Sequence, residues 1–162
     1  MTRLTSCVGL CFGSMTFPQE ITEVAEVAVF KDADDVYNTI GKAMEVCVND
    51  EQFVKATQGG TLVVHIAQTD PEAHILVDFP GRKVLTGVAA ENASSTVQLR
   101  MSSDNANKFW QGKLNFTLAM AQRKVKLDGK RSTALGLLPL TEPIFDAYRR
   151  ILADADREDL LL

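Results

Sequence analysis

The chain contains two histidines, His65 and His74, and with Asp78 close behind them they are the first residues to weigh for acid/base work or metal binding. If a hairpin turn falls at Gln68-Thr69-Asp70-Pro71, the two imidazoles lie opposite each other on one sheet face. The simpler reading is that they do nothing chemical. Strand positions alternating with Leu62, Val64 and Ile66 point away from a covering helical layer, so the pair is expected to be exposed to solvent. No third ligand stands nearby in sequence to close a zinc shell. Three cysteines, Cys7, Cys11 and Cys47, form an odd set without CxxC spacing, which supports neither a disulfide framework nor a zinc site. Cys47 falls on an apolar helical face and is expected to be an inert packed thiol. GxSxG, HExxH, a Walker loop and a strand-borne GxGxxG are all absent from the sequence. The expectation is therefore a protein with no catalytic residues, metal or cofactor.

The elements that would position any site follow from periodicity. Ile21, Val24, Ala25 and Ala28 fit a helix over 18–30. Asp32, Asp34 and Asp35 crowd the start of a second helix whose apolar face is Val36, Tyr37, Ile40, Met44, Cys47 and Val48. A helical turn over 51–56 leads to the Gly59-Gly60 break. Strands are expected at 61–67, 73–79 and 83–90, with turns at Gln68 to Pro71 and at Pro80-Gly81. In 96–101, Thr96, Gln98 and Arg100 alternate with Val97, Leu99 and Met101, the pattern of a strand with one wet and one dry face. Ser102-Ser103-Asp104 offers caps to a helix stopped by Gly112, and another helix starts near Asn115. Lys124 and Lys126 alternate with Val125 and Leu127 in a fifth strand. Residues 132–138 are expected to be helical, and Pro143 opens a last amphipathic helix bearing Ile144, Phe145, Tyr148, Ile151 and Leu152. The fold class is α+β, a five-stranded, mostly antiparallel sheet with helices packed on one face.

With 162 residues, 46% of them hydrophobic and 23% charged, the chain is sized for one domain, expected over 18–155. Residues 1–17 are expected to be a loosely ordered leader without the apolar stretch of a signal peptide. Residues 156–162 are expected to be a frayed acidic tail. A formal charge of −4 argues against binding nucleic acid. No apolar run approaches the roughly 18 residues that a membrane span needs. The cysteine usage suits a reducing cytoplasm.

Three strings carry more information than periodicity does: Thr96-Val97-Gln98-Leu99-Arg100-Met101-Ser102-Ser103-Asp104, then Phe109-Trp110-Gln111-Gly112-Lys113-Leu114-Asn115, then Arg123-Lys124-Val125-Lys126-Leu127-Asp128-Gly129. In order and spacing they resemble the sterol carrier protein type 2 (SCP-2) lipid-binding domain. The resemblance extends from about Val36 to Leu152 and is weaker before Thr96. Ala121-Gln122 stands where that family usually has a small residue and Gly, and Leu160-Leu161-Leu162 is not a Ser-Lys-Leu peroxisomal signal. The resemblance implies a noncatalytic carrier that holds a fatty acid, acyl-CoA, sterol or similar lipid in a tunnel between helices and sheet.

Pattern and family layout together nominate Met101, Phe109, Trp110, Phe116, Met120, Leu127, Leu138 and Phe145 as lipid-binding residues. Lys113, Arg123, Lys124, Lys126, Lys130 and Arg131 face only one acid, Asp128, within their stretch. They form either a solvated sheet face or a patch for an anionic headgroup, a CoA phosphate or an anionic membrane. Two other readings stand beside the carrier: an enzyme using the same pocket with His65, His74 and Asp78, and a partner-binding module using the Tyr148 to Leu152 helix.

Overall fold

The computed structural model describes residues 29–162. The expected leader, nearly all of the helix expected over 18–30, Cys7 and Cys11 lie outside them. Asp32 starts the first helical run by accepting a hydrogen bond from the Asp35 N–H at 2.9 Å. That run comprises α1 (Ala33–Val36), a π turn (Tyr37–Gly41) and α2 (Lys42–Asn49). Within it the Thr39 hydroxyl donates to the Asp35 carbonyl at 2.7 Å. Asp50 then caps α3 (Glu51–Thr57), accepting from the Gln52 and Phe53 N–H groups.

Five strands follow: β1 (Val63–Thr69), β2 (Ala73–Asp78), β3 (Lys83–Thr86), β4 (Val97–Ser102) and β5 (Val125–Gly129). Their order is β3-β2-β1-β4-β5; the central pair β1–β4 is parallel and the other three pairs are antiparallel. The register stacks apolar rows on one face. Val84, Val77, Val64 and Val97 form one row, and Ile75, Ile66, Leu99 and Leu127 form the next. This face meets the helices and builds the core.

The third strand is shorter than expected over 83–90. Gly87 pairs once more, its N–H donating to the His74 carbonyl, and then turns with φ +64, so that Val88–Glu91 forms the short helix α4. At the far end of the sheet Gly129 has no substitute. Its φ is +90, and a Cβ there would stand 2.3 Å from the Thr96 carbonyl oxygen.

After β4, the Ser102 hydroxyl caps α5 (Ser103–Trp110) and Asn115 caps α6 (Phe116–Ala121). After β5 come α7 (Arg131–Gly136), a 3-10 turn (Leu138–Thr141) and α8 (Glu142–Asp154), with Pro143 in its first turn. α8 packs on α2 and α5. Its fully buried Tyr148 donates to Asn107 Oδ1 at 2.8 Å, and burial pushes the phenol above its ordinary pKa.

The tail does not fray. Arg157 is only 7% exposed; its guanidinium pairs with Asp35 and Asp159 and donates to the Val29 carbonyl at 2.9 Å. Hydrogen bonds to Asp159 and Asp35 raise its pKa further, against the opposing effect of burial. Leu160 is fully buried, and its carbonyl accepts from Asn107 Nδ2 at 3.0 Å and from Gln111 Nε2 at 2.8 Å. Reading the acids alone as a solvated end missed that one of them pairs with a buried arginine.

Candidate functional site

Between the inner sheet face and the helices lies an apolar cavity of about 80 Å³. Val64, Ile66, Val77, Leu99 and Leu127 form its floor, with Phe79 just beyond β2. Met44 and Cys47 of α2, Phe53 of α3, Phe109 and Trp110 of α5 and Phe116 of α6 form the walls. The roof is Ala134 and Leu135 of α7 with Leu137, Leu138 and Thr141 beyond it. Phe109 joins the aromatic walls, its ring centroid 4.8 Å from that of Trp110 and 5.3 Å from that of Phe116.

The polar content of this lining is small. The Thr141 hydroxyl is already donated to the Leu138 carbonyl at 2.7 Å. Burial, with Asp50 adding to it, pushes the Cys47 thiol far above its ordinary pKa, so it stays neutral and serves as wall. An occupant inside can offer little but hydrocarbon, because an unpaired charge would be strongly penalised here.

The volume adds a second constraint. About 80 Å³ is smaller than the roughly 150 Å³ cavity that admits benzene, and well below the roughly 300–1,000 Å³ of ordinary ligand sites. A lipid chain therefore requires part of the wall to move. The roof is the weakest part: α7 has no buried residue and no side-chain cap at its start.

Of the eight nominated residues, Phe109, Trp110, Phe116, Leu127 and Leu138 line the cavity. The other three do not. Met101 lies in the core one register step beyond the floor, paired with Val125. Met120 faces an outer recess beside Arg123, and Phe145 lines an outer groove, packing edge-on to Phe109 across 6.2 Å. Leu127 apart, the nominations missed the floor, although the alternation of Val64 with Ile66 and of Val77 with Phe79 signals it. They also missed Met44, Cys47 and Phe53, whose contribution depends on how α2 and α3 lie over the sheet.

The histidines sit on the opposite face and depart from expectation in two ways. His65 is opposite Leu76 and His74 opposite Ala67, so the pair is diagonal, and His65 is only 6% exposed. His65 Nε2 and His74 Nδ1 share a hydrogen bond at 3.0 Å. Asp78 takes no part in the pair; it accepts from the Gly81 N–H and closes a turn. Among the described residues no group of three or more His, Cys, Asp or Glu could hold a metal ion.

The pKa of His65 is lowered by burial first, then by His74 and Arg100, with Glu91 opposing. The folded protein thus binds fewer protons here than the unfolded chain just below the ordinary histidine value of about 6.5. The stability contributed by neutral His65 is present above that value and is lost as pH falls toward the lowered one. His65→Gln should flatten the decline of Tm between pH 7 and pH 5. Parallel Tm-against-pH slopes for parent and variant would reject this assignment.

The sequence description of the SCP-2 sterol transfer family matches residues 40–141. No curated protein sequence matches. The apo form of sterol carrier protein 2 from Yarrowia lipolytica superposes with a TM-score of 0.52 at 16% identity, covering 64% of this chain and 87% of its own. The sterol carrier protein domain 2 of Helicoverpa armigera gives 0.52 at 20% identity, covering 68% and 91%. At such identities the two structures establish the common α+β fold.

Proposed function

The chain belongs to the SCP-2 sterol transfer family, and on that premise we propose that its cavity is the closed form of a lipid-binding tunnel and that the protein is a noncatalytic lipid carrier. The observation that supports this most directly is the lining: an almost unbroken hydrocarbon surface between sheet and helices, under a roof with little to hold it. The ligand is a single-chain fatty acid, a fatty acyl-CoA or a sterol, its apolar part inside and its polar end at the mouth. Each buried methylene contributes about 0.8 kcal/mol. A chain of about fifteen carbons therefore gains on the order of 10 kcal/mol before ordering costs. Micromolar affinity corresponds to about 8 kcal/mol, so no strong polar anchor is required. The neutral thiol and the committed hydroxyl in the lining favour carriage over turnover, and a buried free thiol suits a reducing compartment such as the cytoplasm.

Trp110 is the only tryptophan in the chain and lies in the cavity wall, which provides the test. Delipidated protein titrated with cis-parinaric acid should bind saturably in the micromolar range with energy transfer from Trp110. Absence of saturable binding to this probe and to a fluorescent sterol, together with no lipid on organic extraction of the native protein, would overturn the carrier reading.

A further inference from the structure

A cleft of about 410 Å³ lies between the turn that joins α3 to β1 and the start of α7. Leu137 lines both this cleft and the apolar cavity, so the two spaces adjoin at that residue. Their chemistry differs. Thr61, Ser132 and Thr133 bring hydroxyls to the cleft and Lys130 brings an ammonium, while no acid among the described residues lines it. Lys130 Nζ donates to Thr61 Oγ1 at 3.1 Å and so ties one wall to the other. That partner is neutral, and among the described residues the ammonium forms no ion pair. The hydroxyls of Ser132 and Thr133 make no hydrogen bond within the described residues.

A second recess also adjoins the cavity, through Leu138 and Thr141, but there the charges are already balanced. Arg149 pairs with Asp146 at 2.7 Å and donates to the Gln111 carbonyl, and Glu142 shares the lining with Lys113. The cleft at Lys130 is therefore the better receptor for one negative charge: a cation whose partner is a neutral hydroxyl, beside further hydroxyls that can donate. Its position suits an amphiphile with a single anionic end. A sterol offers it no charge, and an acyl-CoA brings several phosphate charges to one cation.

We propose that this cleft receives the carboxylate of a free fatty acid, which replaces Thr61 as the partner of Lys130 while the chain runs past Leu137 into the cavity. This rests on the carrier reading and narrows its ligand to one of the three classes. Lys130 immediately precedes α7, so the bound carboxylate then tethers the start of the roof.

The test titrates the delipidated full chain, at about pH 8 and about 0.1 M salt, with cis-parinaric acid and with its methyl ester, which has the same chain and no charge. In K130Q the affinity for the acid should fall about tenfold, the low end for a charge-assisted hydrogen bond because the cleft is open to water, and the affinity for the ester should match the parent's. K130R keeps the charge and should stay within about twofold of the parent for both probes. K126Q removes a lysine from the opposite sheet face and should leave both affinities unchanged, which controls for net charge. With carboxyl-labelled palmitic acid followed by carbon NMR, the bound carboxyl should titrate at lower pH in the parent than in K130Q. Acid affinity equal in K130Q and parent, equal loss of acid and ester affinity in K130Q, or displacement of the probe more readily by palmitoyl-CoA or cholesterol than by palmitic acid would overturn the carboxylate site and leave the carrier reading standing. Saturable binding of neither probe by the parent would overturn both.

Discussion

Arg157→Ala is expected to lower stability by about 3 kcal/mol, which for a domain of this size is roughly 10 °C in Tm. The size follows from what the substitution leaves behind. Asp35 is nearly buried and would lose its guanidinium partner, keeping the Lys31 N–H at 3.0 Å. The Val29 carbonyl would lose its donor, and Phe30 the cation 5.9 Å from its ring centroid. An uncompensated buried carboxylate and an unpaired carbonyl cost far more than a surface ion pair contributes. Arg157→Lys keeps the charge but cannot reach Asp35, Asp159 and Val29 together, so an intermediate loss is expected. A double-mutant cycle with Asp35→Asn should show coupling well above the few tenths of a kcal/mol typical of independent sites. Thermal melts of Arg157→Ala within a degree of the parent would mean that the docked tail contributes nothing.

Ala134→Phe is expected to separate binding from stability. Ala134 is half-buried in the roof, and a phenyl group there projects into space that is otherwise empty. The ring is larger than the roughly 80 Å³ that is free, so its added contacts are offset by strain on α7 and Tm is expected to stay near the parent's. Affinity for cis-parinaric acid should meanwhile fall at least 100-fold, because the ring occupies the position proposed for a ligand chain. Ala134→Ser, which changes little volume, should leave both quantities close to the parent. A protein that keeps its Tm but no longer binds the probe is hard to explain by damage to the fold. If Ala134→Phe bound the probe as well as the parent does, the binding site would have to be elsewhere.

The local features of this fold were legible because each rests on neighbours in sequence. Asp32 before an apolar period, Ser102 before α5, Asn115 before α6 and the alternation through β4 all lie where expected. What escaped depends on distant partners. The parallel pairing of β1 with β4 has no turn to announce it. The tail reads as a solvated end until Asp35, 122 residues away, is placed against Arg157. The histidines were placed on the correct face of the sheet, but their burial was not foreseen. For the cavity, large side chains identified Phe109, Trp110 and Phe116 of the walls, Leu127 of the floor and Leu138 of the roof, while the rest of the floor and roof depends on how the helices lie over the strands. Side-chain size also could not distinguish Phe116, which lines the space, from Phe145, which packs outside it.

The lone parallel ladder has a bearing on how the chain reaches this state. β1, β2 and β3 form a meander closed by short connections, and β4 with β5 forms a second unit completed by α5 and α6. Each half can assemble from nearby residues, whereas the ladder aligning Val64 with Val97 joins them only after a longer loop has been closed. Zipping of two half-sheets along this central seam is thus the expected slow event in folding, and the apolar cavity, whose floor draws on both halves, cannot be complete before it.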